Sequence, residues 1–534
     1  MVIEKNPMVE ELDQRFGTLH DQRSNWEKHW QELADYMLPR KADITKRRTQ
    51  GDKRTELIFD ATAIHAVELL AASLHGMLTS PSAPWFQMRY RNPELNQNDE
   101  AKEWLESSTE QMYEAFQRSN FQQEIHELYF DLCVFGTAAI FVELDETQTL
   151  RFSTRSIAEI YLSEDYNGRV DTVYRKFDLT ARAIGQRFGE KNLPEKIEKA
   201  LTEDPYSEHP IVHALFPRGE TTKKASNKSQ NKPVASIYYC AETKMLLSES
   251  GFDEFPMMVP RFVKDSVSTY GRAPAMTALP DVKMLNKMAK VGIIAAQKQI
   301  DPPLMVPDDG FVAPVRTTPG ALNFYRSGTR DRLEPLQTGA NNPLSFQMEE
   351  QRRGAIRQAF YVDQLILGQG SNMTATEVLQ RNEEKMRLLG PVLGRLQAEL
   401  LQPLISRSFA LLLRSRFLPP APELLSGQDI DIEYVSPLAK AQKMTDLQSL
   451  MRGIEVMMQL GEIAPVADYL DKDRLIKYVA TSSGIPATVL ASDEEVAQLR
   501  QQQAEQAQAQ AEQQQAMLEA EQLQKAAPMV KAVS

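Results

Sequence analysis

The sequence predicts an α+β protein, mainly helical, and three features carry that prediction. Residues 281–300 place apolar side chains at three- and four-residue steps, as one face of a helix requires. Residues 137–265 change to a period of two, with TAAIFVEL, EIYLSED, RVDTVYRKFDL and SIYYC alternating as strands do. The composition, 42% hydrophobic and 25% charged, is that of a folded chain rather than a disordered one. A chain of 534 residues is too long for one simple core, so about three or four structural units are expected.

The elements follow in order. Residues 9–38 read as a helix stopped by Pro39 and followed by the basic run KADITKRR. Asp60 is placed to cap a second helix over 61–78, whose apolar face includes Ile64, Val67, Leu70 and Leu74. The SPSAPWF turn leads to a short strand, WFQMRY. Two helices follow, over about 99–119 and 121–135, with Gly136 as the C-terminal cap of the second. Within the strand region, Asn167-Gly168 is a strong hairpin turn signal.

In 281–300, Val282, Leu285, Ala289, Gly292 and Ala296 form a narrow apolar stripe, and Lys283, Lys287, Lys290 and Lys298 form a basic rail almost opposite it. Asp301-Pro-Pro303 ends this helix, because proline cannot continue it. Residues 301–343 hold seven of the chain's 30 prolines and are expected to be short strands and turns. A second helix over 343–360 puts Leu344, Met348, Ala355 and Ala359 on one side, which makes a helical hairpin with a small proline-rich module at its tip.

The loop GQGSNM, 368–373, then runs into a helix start in which Thr374 and Glu377 have the capping-box spacing. That helix is expected to reach about residue 416, bent at Gly390-Pro391 and at Pro403. The strand DIDIEYV follows, then helices in MTDLQSLMRGIEVMMQL and DKDRLIKYVA. Ser492 and Glu495 form another capping box, opening a Gln/Ala-rich tail expected to be helical near Ser492 and to fray toward Ser534.

Several function classes are excluded or left without support. The net charge of −12 argues against a protein that clings to DNA, but not against one that DNA slides past. Cys133 and Cys240 stand alone in apolar settings and read as buried small hydrophobes in a chain that folds in a reducing, intracellular place. The N-terminus has charges where a signal peptide needs an apolar run, and no apolar stretch reaches the ~18 residues of a membrane helix. A soluble, cytoplasmic protein is expected.

No GxxxxGK[ST] is present, and the third glycine of a dinucleotide fingerprint begun at Gly368-x-Gly370 falls at Met373. His209 and His213 are separated by Pro210 in a strand pattern, and His65 and His75 point to different helix faces, so no metal pair is expected. There is no GxSxG and no HExxH, and the acid pairs Asp308-Asp309 and Glu383-Glu384 read as solvated. The sequence calls for no enzyme, cofactor or metal. A nucleotide-binding enzyme using the Gly368/Gly370 loop is one alternative, and a helical scaffold without a pore is the other.

Six stretches, in order, are FDATAIHAVELLAASLHGMLTSPSAPWF (59–86), FGTAAIFVE (135–143), YGRAPAMTALPDVKMLNKMAK (270–290), QIDPPLMVP (299–307), NMTATEV (372–378) and YVSPLAKAQ (434–442). Each alone is moderately specific. As an ordered set they resemble the portal, or head-to-tail connector, proteins of short-tailed bacteriophages.

The resemblance implies a ring of twelve subunits at one capsid vertex, part of the virion and assembled in the host cytoplasm, through which the genome enters and leaves. It divides the chain into a wing (1–265), a first stem helix (266–300), a clip (301–342), a second stem helix (343–362) and a tunnel loop (363–373). A long wing helix with a returning strand (374–435) and a crown with the Gln/Ala-rich tail (436–534) complete it. Its partners are the packaging terminase, which carries the ATPase, a tail adaptor, capsid and scaffolding proteins, and duplex DNA passing without sequence preference; no membrane is involved.

The tunnel loop Gly368, Gln369, Gly370, Ser371, Asn372 and Met373 is then expected to line the channel. None of its residues is charged, which permits close approach to a duplex with a phosphate every ~1.7 Å without trapping it. Thr374 and Glu377 would mark where the rigid helix begins. Lys283, Lys287, Lys290 and Lys298 are the candidate phosphate contacts on the stem.

Overall fold

The computed structural model describes residues 7–49, 51–91, 98–145, 149–189, 193–220, 232–305, 316, 324, 334–335, 343–365, 389–422, 430–434, 447, 449–457, 472–483, 495–510, 513 and 517. In chain order the elements begin with helices α1 (Pro7–Met37) and α2 (Thr62–Leu78), strand β1 (Phe86–Tyr90), and helices α3 (Asp99–Arg118) and α4 (Phe121–Phe135). Strands β2 (Ala139–Asp145), β3 (Thr149–Arg155), β4 (Ile160–Glu164) and β5 (Val170–Thr180) follow, then helices α5 (Ala181–Phe188) and α6 (Glu195–Glu203). Strands β6 (Glu208–Pro217), β7 (Val234–Cys240), β8 (Leu246–Phe252) and β9 (Met257–Met258) precede helix α7 (Pro274–Ile300). Beyond it come β10 (Leu304–Met305), β11 (Glu334–Pro335), α8 (Pro343–Ala359), α9 (Val362–Leu365), a helix α10 over 389–414, and β12 (Ile430–Tyr434). Residues 449–457, Lys472–Ser483 and 495–510 are helical.

The chain forms two compact units, Met1–Trp85 with Met112–Ser415, and Phe86–Gln111 with Arg416–Ser534. In the second, β1 pairs antiparallel with β12, placing Phe86 opposite Tyr434 and Tyr90 opposite Ile430. The Trp104 indole N–H in α3 donates to the Pro419 carbonyl at 3.2 Å.

The first unit is built on a five-stranded antiparallel sheet in the order β4-β5-β6-β7-β8. Side chains alternate along each strand, so Val212, Ala214 and Phe216 of β6 meet Val9, Leu12 and Phe16 of α1, whereas Ile211 packs with Ile184 of α5 and Ile197 of α6. Both sheet faces are therefore covered. That explains why β6 escapes an alternation test: IVHALF is apolar on both sides and reads as a continuous run. The four alternating stretches appear as β2, β4, β5 and β7; β3, β6, β8, β9, α5 and α6 are additions. The Asn167-Gly168 turn joins β4 to β5, with Gly168 at φ 76°.

A smaller sheet, β3-β2-β9, packs near an aromatic cluster in which Phe121 of α4 lies 5.1 Å from Phe152 and 4.9 Å from Phe116, centroid to centroid. Gly136 ends α4 in the left-handed region at φ 73°, as its sequence position predicts. Cys133 and Cys240 are buried and unbridged.

Three expectations about helices are corrected. First, α7 starts at Pro274, seven residues before the helix start expected at residue 281, and runs through Pro280. Pro274 at the first helical position loses nothing, since the first turn's N–H groups have no intrahelical partner. Second, among the described side chains of α8 the buried ones are Glu349 and Ile356, while Met348 is exposed and Ala355 only half-buried. Third, α10 departs from α-helical geometry at a π turn, Gln397–Leu401, while the approach to the bend expected at Gly390-Pro391 lies outside the described residues. Pro403 lies just beyond that turn and supplies no N–H to it, a situation a π turn accommodates.

Candidate functional site, a two-helix stem and its root

Helices α7 and α8 form the hairpin foreseen from sequence, and its root is held by polar groups drawn from several of the quoted motifs. Asn286 is buried in α7. Its Oδ1 accepts from the backbone N–H of Phe59 at 2.7 Å and of Asp60 at 3.1 Å, and its Nδ2 donates to the Val282 carbonyl at 2.9 Å. The N-cap position of α2 is Ala61 and not Asp60; Asp60, one residue ahead of it, accepts from Thr62 N at 2.9 Å, and its other oxygen accepts from Arg353 Nε of α8 at 3.0 Å. Burial alone would raise the Asp60 carboxyl, but the hydrogen bonds from Thr62 and Arg353 outweigh it and hold it below the usual range. Arg352 donates to Asp281 at 2.7 Å, a second tie between the two stem helices.

The stretches around Gly136 and Gly271 meet backbone to backbone just ahead of α7. A Cβ on Gly136 would stand 2.5 Å from the Gly271 carbonyl oxygen. Phe262 N donates to Gly136 O at 2.9 Å, and Gly271 N donates to Thr137 Oγ1 at 2.8 Å. Next to this crossing lies the guanidinium of Arg261, which is buried. Its Nε and Nη2 donate to the two carboxylate oxygens of Glu399 at 3.0 and 2.8 Å, and it also reaches Glu164, the Thr269 carbonyl and the Gly168 carbonyl. Burial would lower the Arg261 pKa, but the bonds to Glu399 and Glu164 outweigh that and raise it. Glu399 sits in the π turn of α10, so that irregular turn carries the carboxylate that clamps Arg261.

Tyr270 completes the junction. Its ring lies 5.1 Å from Trp30 of α1, its hydroxyl accepts from Leu162 N at 3.2 Å, and burial pushes its phenol up to about 12.

The shaft of the stem contrasts with its root. Val282 and Leu285 are buried, but the same stripe continued through Gly292 and Ala296 is exposed. Met284, Val291, Ile293, Ile294 and Ile300 of α7 and Phe346 and Met348 of α8 are exposed large apolar side chains.

The four lysines of the rail are all exposed. Lys283 pairs with Glu32 of α1 at 3.2 Å, and Lys290 lies 5.3 Å over the Phe59 ring. Lys287 and Lys298 have no acidic partner among the described residues. The loop Gly368, Gln369, Gly370, Ser371, Asn372 and Met373 and the cap Thr374/Glu377 lie outside the described residues. Of the proline-rich module at the tip, β10 and β11 pair antiparallel, with Leu304 opposite Pro335.

His209 and His213 engage different side chains. His209 bonds Ser207 at 3.3 Å, while His213 bonds Ser236 at 2.9 Å and stacks 3.8 Å from Tyr238. Burial, reinforced by Arg175, Arg187 and Arg155, pushes His213 well below its usual value, so it stays neutral. Among the described residues no cluster of His, Cys, Asp and Glu fits a metal ion, and no helix is long and apolar enough to cross a membrane.

Sequence reasoning passed over Asn286, Arg353 and the Arg261–Glu399 clamp. Only Asn286 left a signal, a lone amide near the apolar stripe. Arg261 and Glu399 are 138 residues apart and share no periodicity.

A model of the bacteriophage head to tail connecting protein family matches residues 9–490. The chain is 33% identical over 502 residues to a probable portal protein of Bordetella phage BPP-1, covering 92% of this chain and 90% of that one. It is also 33% identical over 508 residues to the portal protein of Salmonella phage epsilon15, covering 93% of this chain and 91% of the relative. A solved structure described as the neck of an empty GTA particle computed with C6 symmetry aligns over 81% of this chain and 95% of its own, at 11% identity and a TM-score of 0.36.

Proposed function

The chain belongs to the bacteriophage head to tail connecting protein family, and on that premise we propose that its copies close into a ring at the portal vertex of the capsid, forming the channel for genome packaging and ejection. The observation that carries this reading is the stem. Its root is bonded into the chain through Asn286, Asp60 and Arg353, yet seven large apolar side chains on its two helices face water in the single chain. Monomeric proteins rarely leave apolar patches of more than a few hundred Å² uncovered. A heterologous contact with the next copy covers such a face, and its repetition closes a ring when the rotation per subunit allows.

Within that ring we assign twelve subunits, residues 301–342 as the clip that meets the terminase and the tail adaptor, and Gly368–Met373 as the channel loop. Lys287 and Lys298 are the rail lysines best suited to brief phosphate contact, because neither is engaged by an acid among the described residues. Capsid and scaffolding proteins surround the ring in the virion. The test is native mass spectrometry with negative-stain imaging: about twelve copies around a central hole are expected, and Val291→Asp with Ile294→Asp should give folded single chains. A wild-type chain that stays monomeric at micromolar concentration would overturn the reading.

A further inference from the structure

We infer that successive copies meet through opposite flanks of α7, Met284 and Val291 of one copy packing on Ile293 and Ile300 of the next. This deepens, and rests on, the ring reading above by naming the two surfaces that meet.

An α-helix advances about 100° per residue, so spacing fixes the side on which a residue stands. Met284 and Val291 are 291 − 284 = 7 residues apart and lie within about 20° of each other, as do Ile293 and Ile300. From Met284 to Ile293 and from Val291 to Ile300 is 293 − 284 = 300 − 291 = 9 residues, or about two and a half turns. The two pairs therefore stand on opposite sides of the helix. All four side chains are exposed, from 46% for Met284 and Ile293 to 85% for Ile300.

The other two sides of α7 are taken. One faces α8: Asp281 accepts from Arg352 there, Leu285 is buried, and a Cβ on Gly292 would stand 3.7 Å from Glu349 Oε1. The side away from α8 carries Lys283, Lys287 and Lys290 with Ile294, and Lys283 reaches Glu32 of α1. Helix α8 repeats the arrangement. Glu349 faces α7, and Phe346 and Met348, exposed by 74% and 45%, stand about 200° apart on either side of it.

A two-fold dimer needs one apolar flank, because the same surface serves both copies. Two different flanks on one hairpin call for two neighbours, and the contact that supplies both is heterologous and repeats around a ring. The flanks also match in size, since each presents two large apolar side chains about 10 Å apart along the axis. Seating one pair on the other slides neighbouring stems past each other by about 13.5 Å, so the stems lean from the ring axis.

The test uses the full chain, whose own Cys133 and Cys240 are buried, with Val291→Cys and Ile300→Cys made singly and together. Isolated rings are treated with a short bis-maleimide and run under denaturing conditions. The double variant is expected to give a ladder of linked chains rising to the closed ring, while each single variant gives no links above wild type. Linked pairs in either single variant mean that a flank meets its own kind, and they overturn the inference. Double-variant rings that stay unlinked overturn it too. As a second measurement, Val291→Asp and Ile300→Asp should each raise the subunit concentration for half-assembly at least tenfold, while Val291→Leu stays within twofold of wild type. Assembly equal to wild type in either aspartate variant also overturns the inference. Failure of the wild-type chain to form rings would instead refute the ring reading on which it stands.

Discussion

Replacing Asn286 by Ala tests whether the stem is locked at its root. The substitution removes one acceptor that serves two backbone N–H groups, Phe59 at 2.7 Å and Asp60 at 3.1 Å, and one donor to Val282 at 2.9 Å. Leaving a buried donor unsatisfied costs about 1–3 kcal/mol. Here the full sum does not apply, because Phe59 is 37% exposed and water reaches part of this loop. About 2 kcal/mol in all is the expected loss, a factor on the order of 30 in the local opening equilibrium. The assay is hydrogen exchange of the peptide spanning 57–62, with a peptide from the middle of α1 as reference. The Phe59 and Asp60 amides should exchange about thirty times faster in the variant while the reference is unchanged. Unchanged exchange at those two amides, in a protein whose stem helices remain protected, would refute the idea that Asn286 fastens α7 to the start of α2.

Gly136→Ala should destabilise by at least about 3 kcal/mol, because it combines a positive φ with a Cβ aimed at the Gly271 carbonyl oxygen; thermal unfolding with yield of folded protein measures it. Asp60, whose folded pKa is lowered, stabilises fully above the ordinary aspartate value of 3.8 and loses that contribution as pH falls through the lower folded value. A urea midpoint that falls on acidification below about pH 4 in the wild type and less steeply in Asp60→Asn is expected. Lys287→Gln with Lys298→Gln should leave folding stability within about 0.5 kcal/mol, since both side chains are exposed, yet change DNA retention in filled particles in a salt-dependent manner.

Helices were the most legible part of this protein because their signal is local. The 3.6-residue period, Pro39 as a stop and Gly136 as a cap locate α1, α2, α4, α7 and α8 to within a few residues, apart from the early start of α7. Alternation found β2, β4, β5 and β7 and missed β6, whose two faces are both covered. The lysine rail and the apolar stripe were also written in the sequence, since both are properties of one helix. Which part of the stripe is covered was not: Val282 and Leu285 are buried by neighbours, while Gly292 and Ala296 are not. Long-range pairing decided the rest. Arg261 with Glu399, Asn286 with the Phe59 and Asp60 amides, and Gly136 against Gly271 join residues more than a hundred positions apart, and each is made by a hydrogen bond or a backbone contact that acts only over a few ångströms. Periodicity reports which side of an element is apolar; only the folded chain determines what that side, and each polar group beside it, will touch.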